Sequence, residues 1–141
     1  MKKKIGIIGS GIAGLTLANL LQNNSNFEFV IYEKEAQLNL EEGFGLQLSV
    51  NSVSILNKIG FKKVDKNEKY SPSRLDFYSN KKKICDLDLT KFNTQTEKYT
   101  TLKRSVLIKS LIVIIISPLK LMVLKPFSPR DLIIPFAISF T

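Results

Sequence analysis

Three glycines, Gly9, Gly11 and Gly14, interrupt the stretch KKKIGIIGSGIAGLTLANLL near the start of the chain. Spaced Gly-x-Gly-x-x-Gly between a strand-like run and a helix-like one, they have a mechanical meaning. The first turns the chain sharply, the second lets backbone come within contact distance of a pyrophosphate, and the third lets helix and strand pack closely. An anion there rests against the unpaired amides and positive dipole end of a helix opening near Ile12. The candidate loop is therefore Gly9, Ser10, Gly11, Ile12, Ala13 and Gly14. Alone, the spacing also fits an ordinary tight turn. Glu33 makes it more specific, because it follows 19 residues after Gly14 at the end of a second apolar run. A carboxylate at that place accepts hydrogen bonds from both hydroxyls of an adenosine ribose. The alternative for Glu33 is a surface residue closing a strand. A dinucleotide is the expected guest, and the charge of Glu33 argues against a 2′-phosphate on it.

The elements that must position these residues follow from periodicity. Residues 4–8 read as a buried strand, 12–22 as a helix packing through Ile12, Leu15, Leu17, Ala18 and Leu21, and 27–32 as a second strand. Residues 4–33 thus form one βαβ unit, parallel and right-handed. Val53, Leu56 and Ile59 have helical spacing, with Asn51 as the expected N-cap and Gly60 as the C-terminal stop. Residues 74–79 and 83–89 are strand-like around Asn80–Lys81, which predicts a hairpin. Residues 104–111 read as a short helix with Leu107 and Leu111 on one face.

Composition narrows the chemistry. The 141 residues suffice for one domain with a real core, and 44% hydrophobic content is globular rather than disordered. The net charge of +9 raises the question of nucleic acid, yet 18 of the 21 basic residues are lysines scattered in small groups. A nucleic-acid surface clusters arginine and aromatic residues on one face, so no nucleic-acid partner is expected. Histidine is absent and Cys85 is the single cysteine. A metal centre, a disulfide and a histidine-activated nucleophile are accordingly not expected. The lysines at positions 2–4 lead into a glycine-interrupted strand rather than an apolar signal core, which predicts a reducing, cytoplasmic setting.

The composition shifts near Leu111. All seven glycines precede residue 61, whereas four of the five prolines fall within the last 30 residues. Residues 1–111 read as a domain, and residues 112–141 as an apolar, proline-rich tail of poor packing. Its prolines exclude central strands except at residues 112–116 and 132–134. No run approaches the ~20 apolar residues of a membrane span, so membrane contact is not expected.

The strings GSGIAGL, YEKE, GFGLQLSVNSVSILNKIGF and KRSVLIKSL occur in this order within residues 3–111. In that order and spacing they resemble the N-terminal part of the FAD-dependent aromatic hydroxylases, flavin monooxygenases similar to salicylate, para-hydroxybenzoate and ubiquinone-pathway hydroxylases. The resemblance implies an α/β fold, an incomplete Rossmann-like FAD/NAD(P)-binding fold whose hairpin at residues 74–89 begins a substrate-domain sheet. It implies FAD as cofactor, bound by the Gly9–Gly14 loop with Glu33 on the ribose. It places Gly43–Gly45 beside the cofactor and Arg104, opening an R-x-x-L-x-x-x-L helix, toward the flavin. Lys34 and Gln47 are weaker candidates, and Cys85 is expected to be a small packed side chain. Relatives of this kind use NAD(P)H as electron donor and transfer one oxygen atom of O2 to an aromatic ring.

The resemblance has limits. Members of the family carry later Asp-Gly and Gly-Asp motifs, and no glycine follows Gly60 here. The change after Leu111 fits a frameshift or read-through, so the expectation is a truncated FAD-binding fragment, inactive alone, with no catalytic residue assigned. Such a fragment could depend on a complementing polypeptide. The alternative is a nucleotide-binding interaction protein that docks on a partner or membrane surface through its apolar tail.

Overall fold

The computed structural model describes residues 2–35, 43–116 and 124–126. It opens with strand β1 (Lys3–Ile8), helix α1 (Ile12–Gln22) and strand β2 (Phe27–Glu33). β1 and β2 pair in parallel, Ile7 opposite Ile31 and Ile8 opposite Tyr32. The crossover is helical because Ile12, Leu15, Ala18 and Leu21 recur on one face, and that face packs into the core. Antiparallel pairing here would have ruled out a dinucleotide fold; the parallel register agrees with the expected βαβ unit.

A second sheet, in the order β3–β7–β4, is antiparallel and consists of β3 (Gly45–Leu48), β4 (Lys69–Tyr70) and β7 (Thr100–Lys103). Between β3 and β4 lies α2 (Val50–Lys58). Its N-cap is Ser49, whose hydroxyl accepts from the Ser52 amide at 3.4 Å, and not Asn51. Both residue types cap well, but Ser49 precedes the first helical turn and Asn51 is already inside it. Gly60 ends the helix as expected, in the left-handed region at φ 101°.

β5 (Arg74–Ser79) and β6 (Lys82–Asp88) form the expected hairpin, with Asn80 and Lys81 at positive φ in its two-residue turn. On one side Arg74 and Lys83 pair with Asp76 and Asp86. Cys85 pairs opposite Phe77 in the ladder, and it is exposed rather than packed. The alternation of the hairpin decides this: Cys85 shares a face with Phe77, which is itself 48% exposed.

β7 runs straight into α3 (Arg104–Ile116). The helix therefore passes the compositional shift at Leu111 by more than a turn, and residues 112–116 are helical rather than strand-like. Its β-branched run is overridden by packing: Leu107, Ile108 and Leu111 are buried, and Ile112 lies against the same core. A short strand, β8 (Leu124–Pro126), adds in parallel to the free side of β2, with Pro126 opposite Glu33. As the edge of the order β1–β2–β8, it tolerates a proline that a central strand would not. The expected strand at residues 132–134 lies outside the described residues. Among the described residues no helix is long and apolar enough to cross a membrane.

One core unites these pieces, built from Ile7 and Ile31 of the parallel sheet, Leu15 and Ala18 of α1, and Leu107 and Leu111 of α3. Asn19 is 1% exposed, and its amide nitrogen donates to Leu15 O at 2.8 Å and to Leu111 O at 3.0 Å. It is the polar rivet between α1 and α3.

Candidate dinucleotide site

Each glycine of the loop is present for a different reason. Gly9 leaves β1 at φ 92°, a left-handed conformation costly for other residues, and its amide donates to Tyr32 O at 2.7 Å. Gly14 sits in the first turn of α1, where a Cβ would lie 2.0 Å from Gly9 O and 3.3 Å from the Ile7 side chain. Close approach of helix to strand is therefore its function. Gly11 is the N-cap of α1 at an ordinary φ of −71°, and a Cβ there would meet none of the described residues within 4 Å. Neither backbone strain nor packing against the described residues explains a glycine at that position.

The first intrahelical bond of α1 is Leu15 N to Gly11 O at 2.9 Å, and no side chain caps the helix. The amides of Ile12, Ala13 and Gly14 precede that bond and so lack a partner within the helix. The two loop amides before the helix are not free in the same way, because Gly9 N is bonded to Tyr32 O and Ser10 N to Glu33.

Glu33 closes β2 and turns its carboxylate back onto the loop. Ser10 donates twice to Oε2, through its amide at 2.7 Å and its hydroxyl at 2.6 Å. The amides of Lys34 and Glu35 donate to Oε1 at 2.8 and 3.2 Å. The Ser10 hydroxyl, then its amide, hold the Glu33 carboxyl at a pKa of about 2 against a smaller opposing effect of burial. Sequence reasoning placed Ser10 and Glu33 in one site but missed their direct bond. A hydroxyl between the first two glycines was the available signal. The Lys34 side chain is exposed and pairs with Glu35 at 3.4 Å, so only its backbone amide takes part.

A second cluster joins Gly43, Gly45 and Arg104. Arg104 opens α3, and its amide donates to Phe44 O at 3.1 Å. Gly43 has φ 117°, and a Cβ on it would lie 2.6 Å from Arg104 Cδ. Gly45 faces Lys103 across the β3–β7 ladder, and Gln47, exposed, faces Thr101. The structure thus brings Arg104 against the Gly43–Gly45 segment, and α3 packs along α1 through Asn19 and Leu111. A cavity of about 490 Å³ elsewhere is lined by Phe61, Lys62, Lys66, Lys69, Lys98 and Thr100 among others, and includes none of these candidates. Among the described residues no group of three or more cysteine, aspartate or glutamate side chains could hold a metal ion.

Comparison with known proteins agrees with this geometry. Residues 7–40 match the family described as NAD(P)-binding Rossmann-like domain. Over 59 residues the chain is 41% identical to 3-amino-4-hydroxybenzoate 2-monooxygenase PtnB3 of Streptomyces platensis and 39% identical to its counterpart PtmB3. That stretch is 42% of this chain and 14% of either relative. Among solved structures, 2-methyl-3-hydroxypyridine-5-carboxylic acid oxygenase superposes with a TM-score of 0.68 at 21% identity, over 82% of this chain and 29% of that one. PqsL of Pseudomonas aeruginosa, a probable FAD-dependent monooxygenase, gives 0.68 at 18% identity, over 86% of this chain and 33% of that one. The resemblance to flavin-dependent aromatic hydroxylases holds, and the fold is that of the Rossmann-like portion of such proteins. The chain spans about a third or less of the length of these relatives.

Proposed function

We propose that this chain carries the adenosine-diphosphate half of an FAD site, in a protein of the flavin-dependent monooxygenase type. One observation carries the reading: Gly11 lacks a side chain where none of the described residues lies within 4 Å of a Cβ, beside helix amides without helical partners. A cradle clear of the described residues, at the positive end of a helix, fits a pyrophosphate. Glu33, at the end of β2, fits the ribose. The backbone of Gly11, Ile12, Ala13 and Gly14 would hold the phosphates, while Gly9 and Ser10, whose amides are bonded to Tyr32 O and Glu33, would turn the chain toward them. Gly45 and Arg104 would line the side toward the flavin, with Lys34 contributing its backbone.

Bound flavin would supply the redox chemistry, accepting hydride from NAD(P)H and activating O2 for transfer to an aromatic substrate. This chain's own residues bind and orient. The loop amides offset phosphate charge, and ionised Glu33 selects an unphosphorylated ribose. The apolar side of the hairpin, with Phe77 and Leu87, would meet further strands of a substrate domain, from the same or a complementing polypeptide. We place the protein in a reducing, cytoplasmic compartment, which an exposed free thiol at Cys85 supports.

Titration of the chain with FAD, ADP and FMN tests the half-site. FAD and ADP should bind alike, FMN should not, and NAD(P)H oxidation should not exceed that of free FAD. Binding of FMN without ADP would refute the assignment. An interaction protein using the same fold would bind ADP but would gain no oxidase activity when the missing segments are supplied.

A further inference from the structure

We propose that the Ser10 hydroxyl is a gate on the ribose subsite, holding an acceptor position of Glu33 that a ribose hydroxyl must take. The proposal rests on the reading of Glu33 as the ribose acceptor. A carboxylate offers about four lone-pair positions. Among the described residues four donors fill them: Ser10 N and Ser10 Oγ on Oε2, Lys34 N and Glu35 N on Oε1. The carboxylate is thus fully satisfied without a ligand, although a vicinal diol needs acceptors.

The four donors are not equally removable. Three are backbone amides, fixed by the loop and by the end of β2, and they can withdraw only if the chain moves. The fourth, Ser10 Oγ, turns on a single side-chain bond. It can leave Oε2 while the Ser10 amide stays and keeps the carboxylate aligned. Ser10 is 2% exposed, so its hydroxyl is shielded from competing water and its 2.6 Å bond to a charged acceptor is a strong one. A diol displaces it by offering an equivalent donor. A ligand without the diol has nothing to exchange for that bond.

Ser10→Ala removes the gate and leaves the amide bond. Calorimetric titration of the full chain with ADP and with 2′,3′-dideoxy-ADP reads the effect. The variant should bind ADP roughly three- to tenfold more tightly, with dideoxy-ADP unchanged. Ser10→Cys, with a weaker donor of similar size, should fall between. The Glu33 carboxyl, followed by carbon NMR, should titrate higher in Ser10→Ala than in wild type. Equal or weaker ADP binding by Ser10→Ala, while wild type still prefers ADP to dideoxy-ADP, would overturn the gate and make Ser10 an orienting residue. Equal binding of the two nucleotides by wild type would instead remove the ribose role of Glu33, and the gate with it.

Discussion

The carbonyl oxygen of Gly9 lies 2.0 Å from where a Cβ on Gly14 would stand. That distance is far inside van der Waals contact, and the obstacle is backbone, which cannot swing aside. Gly14 therefore sets how closely α1 approaches β1, and with it the burial of Ile7 and Leu15. Gly14→Ala should destabilise the fold by about 1–3 kcal/mol, the range for overpacking, and toward its upper end because the neighbour is fixed. Urea denaturation followed by circular dichroism checks this, with nucleotide absent throughout.

Asn19 offers a second test, because its amide nitrogen is shared between Leu15 O and Leu111 O in the interior. Asn19→Ala would leave the buried Leu111 carbonyl without this donor. A loss of about 1–3 kcal/mol is expected. The same substitution should also loosen α3, seen as faster amide hydrogen exchange along residues 104–111 than along β1.

Glu33 should make stability depend on acid. Its folded pKa of about 2 lies below the ordinary 4.5, so the folded state favours the ionised form. The resulting stabilisation is fully present above pH 4.5 and is lost as the pH falls toward about 2. Glu33→Gln should flatten that part of the profile and lower stability at neutral pH. Denaturant midpoints measured across this acid range, for wild type and variant, report the difference.

The parts legible in the sequence are those fixed by local rules. β1, α1 and β2 follow from two apolar runs and three glycines, and the hairpin turn from Asn80–Lys81. What the sequence hid depended on distant partners. Residues 112–116 look strand-prone, yet α3 continues through them after the buried turn at Leu107 and Leu111 has docked on α1. Leu124–Pro126 finds a place as a strand only because β2 has a free edge. At the site, glycine spacing and Glu33 were readable, whereas the double bond from Ser10 joins residues 23 apart and depends on how the loop folds back. The contact of Gly43 with Arg104 likewise exists only once β3 and β7 pair.

The central claim is that the Gly9–Gly14 loop receives the pyrophosphate of a dinucleotide, and Gly11→Val tests it most directly. A Cβ at Gly11 would meet none of the described residues within 4 Å, and the backbone there is in an ordinary conformation. The variant should therefore keep the wild-type melting temperature to within a few degrees while filling the space the phosphates need. Calorimetric titration with ADP should give saturable binding to wild type and none to Gly11→Val. Equal ADP affinity in two equally stable proteins would contradict the account.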